Sequence, residues 1–240
     1  MQFFPRVRLG LLLLFVVRVG ASAQTVSPVI TEYQQKGEGK IELTNNTLTP
    51  LVVVLQPQSF SIAPDGKAMY RPLDPTIHVE LSTTSVRLEP KQQYYIFYKA
   101  QADTLPAWFT IYATFSSPRR GPGLNLRLML PHTVYLYQRE SLQKDDVKAG
   151  KAVYLPEKKL VICDVENISK AYGRMREGSV QAGKETTSVG GFPLLPGNPR
   201  HLEIPWDGKK VPELITLHFD RFDLKLPVSD MPPNDVAAAK

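Results

Sequence analysis

The sequence predicts an all-β protein made of two β-sandwich domains, and three observations lead to this prediction. Apolar residues recur at every second position in short runs, which is the side-chain period of a strand. Gly, Pro, Asn and Asp bound these runs, as turns between strands require. Helical spacing of apolar residues is almost absent. The many short strands and frequent turns therefore favour sandwiches over helical or mixed folds.

The first 23 residues have the pattern of a cleaved export signal. Arg6 and Arg8 precede an apolar run from Leu9 to Val17, and the small residues Ala21-Ser22-Ala23 form a cleavage site. The mature chain is then expected to begin at Gln24. The apolar run is far shorter than the roughly 20 residues that cross a bilayer. We therefore expect export from a bacterial cytoplasm to the periplasm, with no membrane span in the mature chain.

Charge and cysteine content exclude further classes of protein. Removal of residues 1–23 leaves 217 residues and lowers the formal net charge from +6 to +3, since the segment carries three arginines and no acid. The remaining charge is spread over both halves, whereas a nucleic-acid-binding protein concentrates its basic residues on one face. The single cysteine, Cys163, cannot form an intrachain disulfide and lies in an apolar run, so we expect it to be buried and inert.

Residues 24–141 are expected to form the first sandwich. Its strands are indicated by alternating, aromatic or continuous apolar segments, the continuous one being typical of a strand covered on both sides. These segments are 39–43, 51–55, 77–81, 94–98 and 108–115.

The following segment has the most regular pattern in the chain. Leu124, Leu126, Leu128 and Leu130 alternate without interruption, which places all four on one face of a strand, here called the leucine face. If this strand ends the first sandwich, it lies at an edge, and an exposed apolar edge invites pairing with another chain. The alternative is that the four leucines fill the core of their own domain.

A polar, charged segment at 139–150 is expected to link the two domains. Residues 142–228 are expected to form a smaller second sandwich, with strands near 152–155, 160–165, 202–206, 214–219 and 222–226. The tail 229–240 is expected to be disordered.

The sequence shows no constellation of catalytic residues, and we expect a protein that is not an enzyme and binds no metal or cofactor. The four histidines, His78, His132, His201 and His218, lack the spacing of a metal site. No serine lies in a recognisable nucleophile turn. Asp220 and Asp223 are three residues apart on a predicted strand, and so lie on opposite faces.

Several motifs of the first domain occur together in one order. These motifs are Gly39–Asn45, Val86–Pro90, Leu105-Pro106 before Trp108-Phe109, and the leucine strand with its continuation Val134–Arg139. In these motifs, which cover about half of the chain, the first domain resembles the periplasmic pilus-assembly chaperones, which have two immunoglobulin-like sandwiches.

The resemblance implies a function in binding other proteins. In that family an alternating apolar strand completes the unfinished sandwich of a fibre subunit, a form of β-augmentation. Here the residues that match the donor are Leu124, Leu126, Leu128 and Leu130. The implied partners are a pilus or surface-fibre subunit and an outer-membrane usher, and the same edge could pair with a second copy in a self-capping homodimer. The alternative is an exported β-sandwich module with a structural or adhesive role.

The sequence also departs from the family at two positions and matches it at a third. Two basic residues of the family bind the terminal carboxylate of the subunit, and the matching positions here are Ile30 and Tyr135, which carry no charge. Arg139 matches an interdomain arginine, and Asp220 or Asp223 is its expected partner in the second domain.

Overall fold

The computed structural model describes residues 24–118 and 127–230, and these residues form an all-β protein, as predicted. One 3₁₀ turn, Lys144–Asp146, lies between the two halves of the chain. The strands of the first half are β1 (Thr25–Ser27), β2 (Ile30–Gln34), β3 (Gly37–Thr44), β4 (Leu51–Ile62), β5 (Ala68–Pro72), β6 (Ile77–Leu81), β7 (Ser85–Leu88), β8 (Gln93–Ala102), β9 (Ala107–Ser116) and β10 (Arg127–Tyr137). Those of the second half are β11 (Val147–Ala149), β12 (Ala152–Leu155), β13 (Leu160–Asn167), β14 (Gly173–Ala182), β15 (Glu185–Leu194), β16 (Arg200–Pro205), β17 (Leu214–Phe219) and β18 (Asp223–Asp230).

The first sandwich consists of two sheets. One has the strand order β1-β3-β8-β6, and the other has the order β2-β10-β9-β4-β5, with β7 paired to β4. Their facing side chains alternate with outward ones and enclose a core that includes Ile41, Ile96, Phe109 and Leu136. The run Leu51–Leu55 is covered on one face only, because Val54 is 46% exposed on the other face, so the expectation of a strand covered on both sides is wrong.

The second sandwich has one continuous hydrogen-bonded path, β11-β13-β12-β18-β17-β14-β15, with β16 paired to β13. The parallel pairing of β12 with β18 joins its two halves. Side chains from both halves, among them Val161, Met175 and Leu217, enclose one core around the buried Trp206. The two sheet systems therefore form two β-sandwiches, which is the predicted fold class.

The two main cores draw on separate stretches of the chain. The first uses residues 26–136 and the second uses residues 142–228. Within the predicted linker, Leu142 packs into the second core and Val147–Ala149 forms β11. A third, smaller cluster joins the sandwiches, and its buried members are Phe60, Ile62, Tyr135, Tyr172 and Leu195.

An export signal and a disordered tail are expected at the two ends of the sequence. The predicted signal at 1–23 lies outside the described residues, as do Leu124, Leu126 and residues 231–240. Residues 229 and 230 belong to β18, because they pair with Val153 and Tyr154 of β12, so the expected disorder does not begin at Ser229. Across 24–118 and 127–230, no helix is long and apolar enough to cross a membrane.

Candidate functional site: the open edge of β10

Strand β10 has one partner over its first half and two over its second half. It pairs antiparallel with β9 from Arg127 to Leu136, whereas β2 runs parallel to it only over Thr133–Tyr137. Within the part of the chain that the structure describes, residues 127–132 therefore have no strand on their other side. We call this stretch the open edge.

The direction of the free backbone groups follows from one hydrogen bond. The Thr133 N–H donates to the Val29 carbonyl at 2.7 Å, so Thr133 directs its backbone towards β2. Because backbone groups alternate along a strand, Met129 and Arg127 direct theirs to the same, outer side. Pro131 lies between Met129 and Thr133 in this series and has no N–H to offer. The backbone donors of the open edge that have no partner among residues 24–118 and 127–230 are therefore those of Arg127 and Met129.

Along the inward side of β10, the exposure of the side chains increases from the end of the strand towards its start. Along the inward side of β10, Leu136, Val134 and His132 are completely buried. Leu130 is partly buried and packs against the first core, and Leu128 is 39% exposed. The alternating apolar pattern thus continues past the point where the domain's own core ends, and at Leu128 the structure does not seal the leucine face inside the sandwich.

The four histidines have separate surroundings. His78, His201 and His218 each contact one or two carboxylates on the surface, and His132 is buried in the first sandwich. No group of three or more His, Cys, Asp or Glu residues that could hold a metal ion occurs in 24–118 and 127–230.

The two sandwiches meet at the carboxylate of Glu32, on β2. This carboxylate accepts hydrogen bonds from the Tyr172 hydroxyl at 2.8 Å, from Arg176 Nη2 at 3.0 Å and from Arg174 Nε. Burial opposes the ionisation of Glu32, but the hydrogen bonds from Arg174 and Tyr172 and the charges of both arginines outweigh it, so its pKa is lowered. Three hydrogen-bond donors of the second sandwich thus bind the Glu32 carboxylate of the first sandwich.

An aromatic stack lies beside this ion-pair network. Tyr135 is 4% exposed, and its ring stacks on that of Tyr172 with centroids 5.1 Å apart. The guanidinium of Arg174 lies 5.0 Å from the Tyr135 ring centroid, within the range of a cation–π interaction. Tyr135 is therefore a buried contact between the sandwiches, whereas Ile30, the other expected anchor position, is 47% exposed at the start of β2.

The expected pairing of Arg139 with Asp220 or Asp223 is wrong. Asp220 accepts a hydrogen bond from Arg176 Nε at 2.6 Å, because Asp220 directly follows Phe219, which pairs with Met175 beside Arg176. Asp223 lies opposite His218 in the β17–β18 pairing and contacts its Nδ1 at 2.8 Å. Arg139 is exposed and has no ion-pair partner among residues 24–118 and 127–230.

Sequence reasoning missed Glu32, Tyr172, Arg174 and Arg176. A signal for three of them was present, because Tyr172, Arg174 and Arg176 occupy alternate positions and so share one face of the β14 segment. Glu32 had no such signal, since its partners lie about 140 residues further along the chain.

Fimbrial chaperones of known structure align with most of this chain at low sequence identity. A chain from the complex of the Salmonella enterica SafA pilin with the SafB chaperone matches with a TM-score of 0.54 and 14% identity, over 85% of this chain and 96% of that chain. The YadV chaperone matches with a TM-score of 0.53 and 13% identity, over 85% and 96%. The class 5 fimbriae chaperone CfaA matches with a TM-score of 0.51 and 6% identity, over 87% and 100%. No family model and no curated protein matches the sequence.

This chain has the fold of the fimbrial chaperones. The match covers both sandwiches, since it extends over 85% or more of the chain. Within this chaperone fold, the open edge of β10 belongs to the first sandwich and the Glu32 network joins it to the second.

Proposed function

We propose that this protein is a periplasmic chaperone-like protein that binds a pilus or surface-fibre subunit by offering the open edge of β10. The observation that carries the proposal is the continuation of the leucine face beyond the domain's own core, on a strand whose outer side has no described partner over residues 127–132. The chaperone fold, which this chain shares with the SafB complex and with YadV, supports the same function.

The expected binding energy has two parts. Arg127 and Met129 supply backbone donors to an incoming strand, and each backbone hydrogen bond contributes about 1 kcal/mol net. Complete burial of the exposed part of Leu128 would add roughly 1 kcal/mol, because burial of a whole leucine side chain is worth about 1.5–3 kcal/mol. Leu126 and Leu124 continue the same alternation, so a subunit that takes up all four leucines would gain several kcal/mol before ordering costs.

Two adjacent, exposed residues on opposite faces of β10 allow a matched test. Leu128 is 39% exposed on the leucine face, and Met129 is 52% exposed on the other face. We expect Leu128→Asp to stay folded and to lower recovery of the subunit complex at least about tenfold, because a charge would enter the apolar core of the subunit. Met129→Asp changes the same strand by the same charge and should retain most of the complex.

The measurement is co-expression in a bacterial periplasm with each fibre subunit encoded beside this gene, followed by quantification of the soluble one-to-one complex. Circular dichroism and thermal unfolding of the free variants check their folding. If Leu128→Asp unfolds the protein, the leucine face is core and the alternative of a structural or adhesive module is favoured. Equal recovery with both folded variants would refute strand donation through this face.

A further inference from the structure

The first sandwich contains a strand switch immediately beside the open edge. Strand β1 pairs with β3 in one sheet, and after Val29 the chain continues as β2, which pairs with β10 in the other sheet. Consecutive residues of β10 hold this crossing: the Thr133 N–H donates to the Val29 carbonyl at 2.7 Å, and Nδ1 of His132 lies 2.6 Å from the Pro28 carbonyl oxygen. The crossing is thus bound to β10 where the open edge ends.

The contacts of His132 determine which ring nitrogen carries the proton. A carbonyl oxygen can only accept, so Nδ1 must donate to Pro28. In the neutral ring Nε2 then accepts, and its partner is the Tyr98 hydroxyl at 3.0 Å. Burial lowers the pKa of His132, which keeps the ring neutral near pH 7, although the hydrogen bond to Pro28 opposes this shift.

Tyr98 extends the network across the sandwich. It lies on β8 of the opposite sheet, and its hydroxyl is 3.1 Å from Thr31 Oγ1 and 3.0 Å from the Tyr33 hydroxyl, both on β2. His132 is completely buried and Tyr98 is 3% exposed. A buried polar group that loses its partner is costly, so the network holds β1–β2, β8 and β10 in one arrangement.

We propose that His132 is a positioning residue that fixes where β2 begins along β10 and thereby sets the length of the edge open to a client strand. The role in client binding rests on the proposed function. Pro131 prevents β2 from pairing further towards Met129, since it has no N–H to offer. His132 prevents the start of β2 from separating from β10. Such a separation would expose the backbone of Thr133 and permit a client strand to bind two residues out of register.

Hydrogen exchange of the mature chain without any client tests this role. In His132→Leu, which removes both hydrogen bonds, we expect the Thr133 amide to exchange at least about tenfold faster. The Val134 amide faces β9 by alternation and should keep its rate. His132→Asn places an amide nitrogen near the position of Nδ1 and should restore protection of Thr133. His78→Leu, in the same sandwich but on the surface, is the matched control and should leave Thr133 unchanged.

Three outcomes would overturn the proposal: an unchanged Thr133 rate in His132→Leu, a uniform acceleration along β10, or no rescue by Asn. If His132→Leu does not fold, His132→Gln replaces it, because Gln reaches Tyr98 but not Pro28 and should also accelerate Thr133. These results do not depend on a client, so they stand even if strand donation is refuted. With a client, faster exchange should accompany weaker complex formation, and undiminished binding would contradict the part of the proposal that concerns the client.

Discussion

Replacement of Glu32 by Gln should weaken the junction between the two sandwiches by about 2–3 kcal/mol. Glu32 and Arg174 have side chains only 18% and 10% exposed, so their hydrogen bond is largely protected from solvent. A hydrogen bond to a charged group contributes about 1.5–3 kcal/mol, and the Tyr172 hydroxyl adds a weaker share. Arg176 contributes little to this figure, because it is 46% exposed and is also held by Asp220. Gln preserves the shape of the side chain and removes its charge, which leaves Arg174 buried beside a neutral acceptor.

Urea unfolding followed by tryptophan fluorescence measures this effect, because Trp108 reports on the first sandwich and Trp206 on the second. Each tryptophan is replaced by Phe in turn, so that the two transitions are resolved. Glu38→Gln is the matched control, since Glu38 is 74% exposed and lies 3.8 Å from Lys99. It should change the free energy of unfolding by less than about 0.5 kcal/mol. If Glu32→Gln unfolds at the same urea concentration as Glu38→Gln, the carboxylate does not hold the sandwiches together.

Four further predictions concern acid and the cysteine. The pKa of Glu32 is lowered below 4.5 in the folded protein. The stability that the ionised Glu32 contributes is therefore complete above pH 4.5 and is lost as the pH falls through the pKa of the folded state. The urea midpoint of Glu32→Gln should lack this acid-dependent loss. The pKa of His132 is lowered below 6.5, so the unfolded chain takes up the proton first and stability falls as the pH drops below 6.5, a slope that His132→Asn should lack. Burial raises the pKa of the Cys163 thiol to about 12, so it should react with a thiol reagent only in urea. Cys163→Ser should keep subunit binding and lose about 1–3 kcal/mol of stability, and lost binding in a folded variant would contradict an inert thiol.

The sequence predicted those strands whose signal is local, but it missed others, among them β14 and β15. Alternation in Gly39–Leu43 and in Ile77–Leu81 depends only on neighbouring residues, and a one-residue shift would turn every apolar side chain to the wrong face. The strand switch at Pro28 and Val29 is different, since it depends on β10, about 100 residues further along the chain. For the same reason His132 looked like one of four scattered histidines, although it is the one that is buried.

The charges at the domain junction could not be assigned from the sequence for a further reason. Arg139 and Asp220 both carry suitable charges, but pairing depends on which strands lie side by side. The adjacent positions of Arg176 on β14 and Asp220 after β17 bring these two together. Once Asp220 binds Arg176 and Asp223 contacts His218, neither carboxylate is left for Arg139.

The Glu32 network also bears on how a client could be held. The family that the sequence resembles has basic anchors at the positions that Ile30 and Tyr135 occupy here, where neither residue is charged. Tyr135 is enclosed by Tyr172 and Arg174, and Glu32 of the same chain is bound to both Arg174 and Arg176. A client carboxylate could bind Arg174 and Arg176 only if it displaced Glu32, which would cost the free energy of about 2–3 kcal/mol that the Glu32 contacts contribute. The open edge of β10 and its leucine face do not compete with any described group. We therefore expect affinity for a client to depend on strand pairing and apolar burial. The affinity should then respond weakly to salt, whereas an ion pair with a client carboxylate would respond strongly.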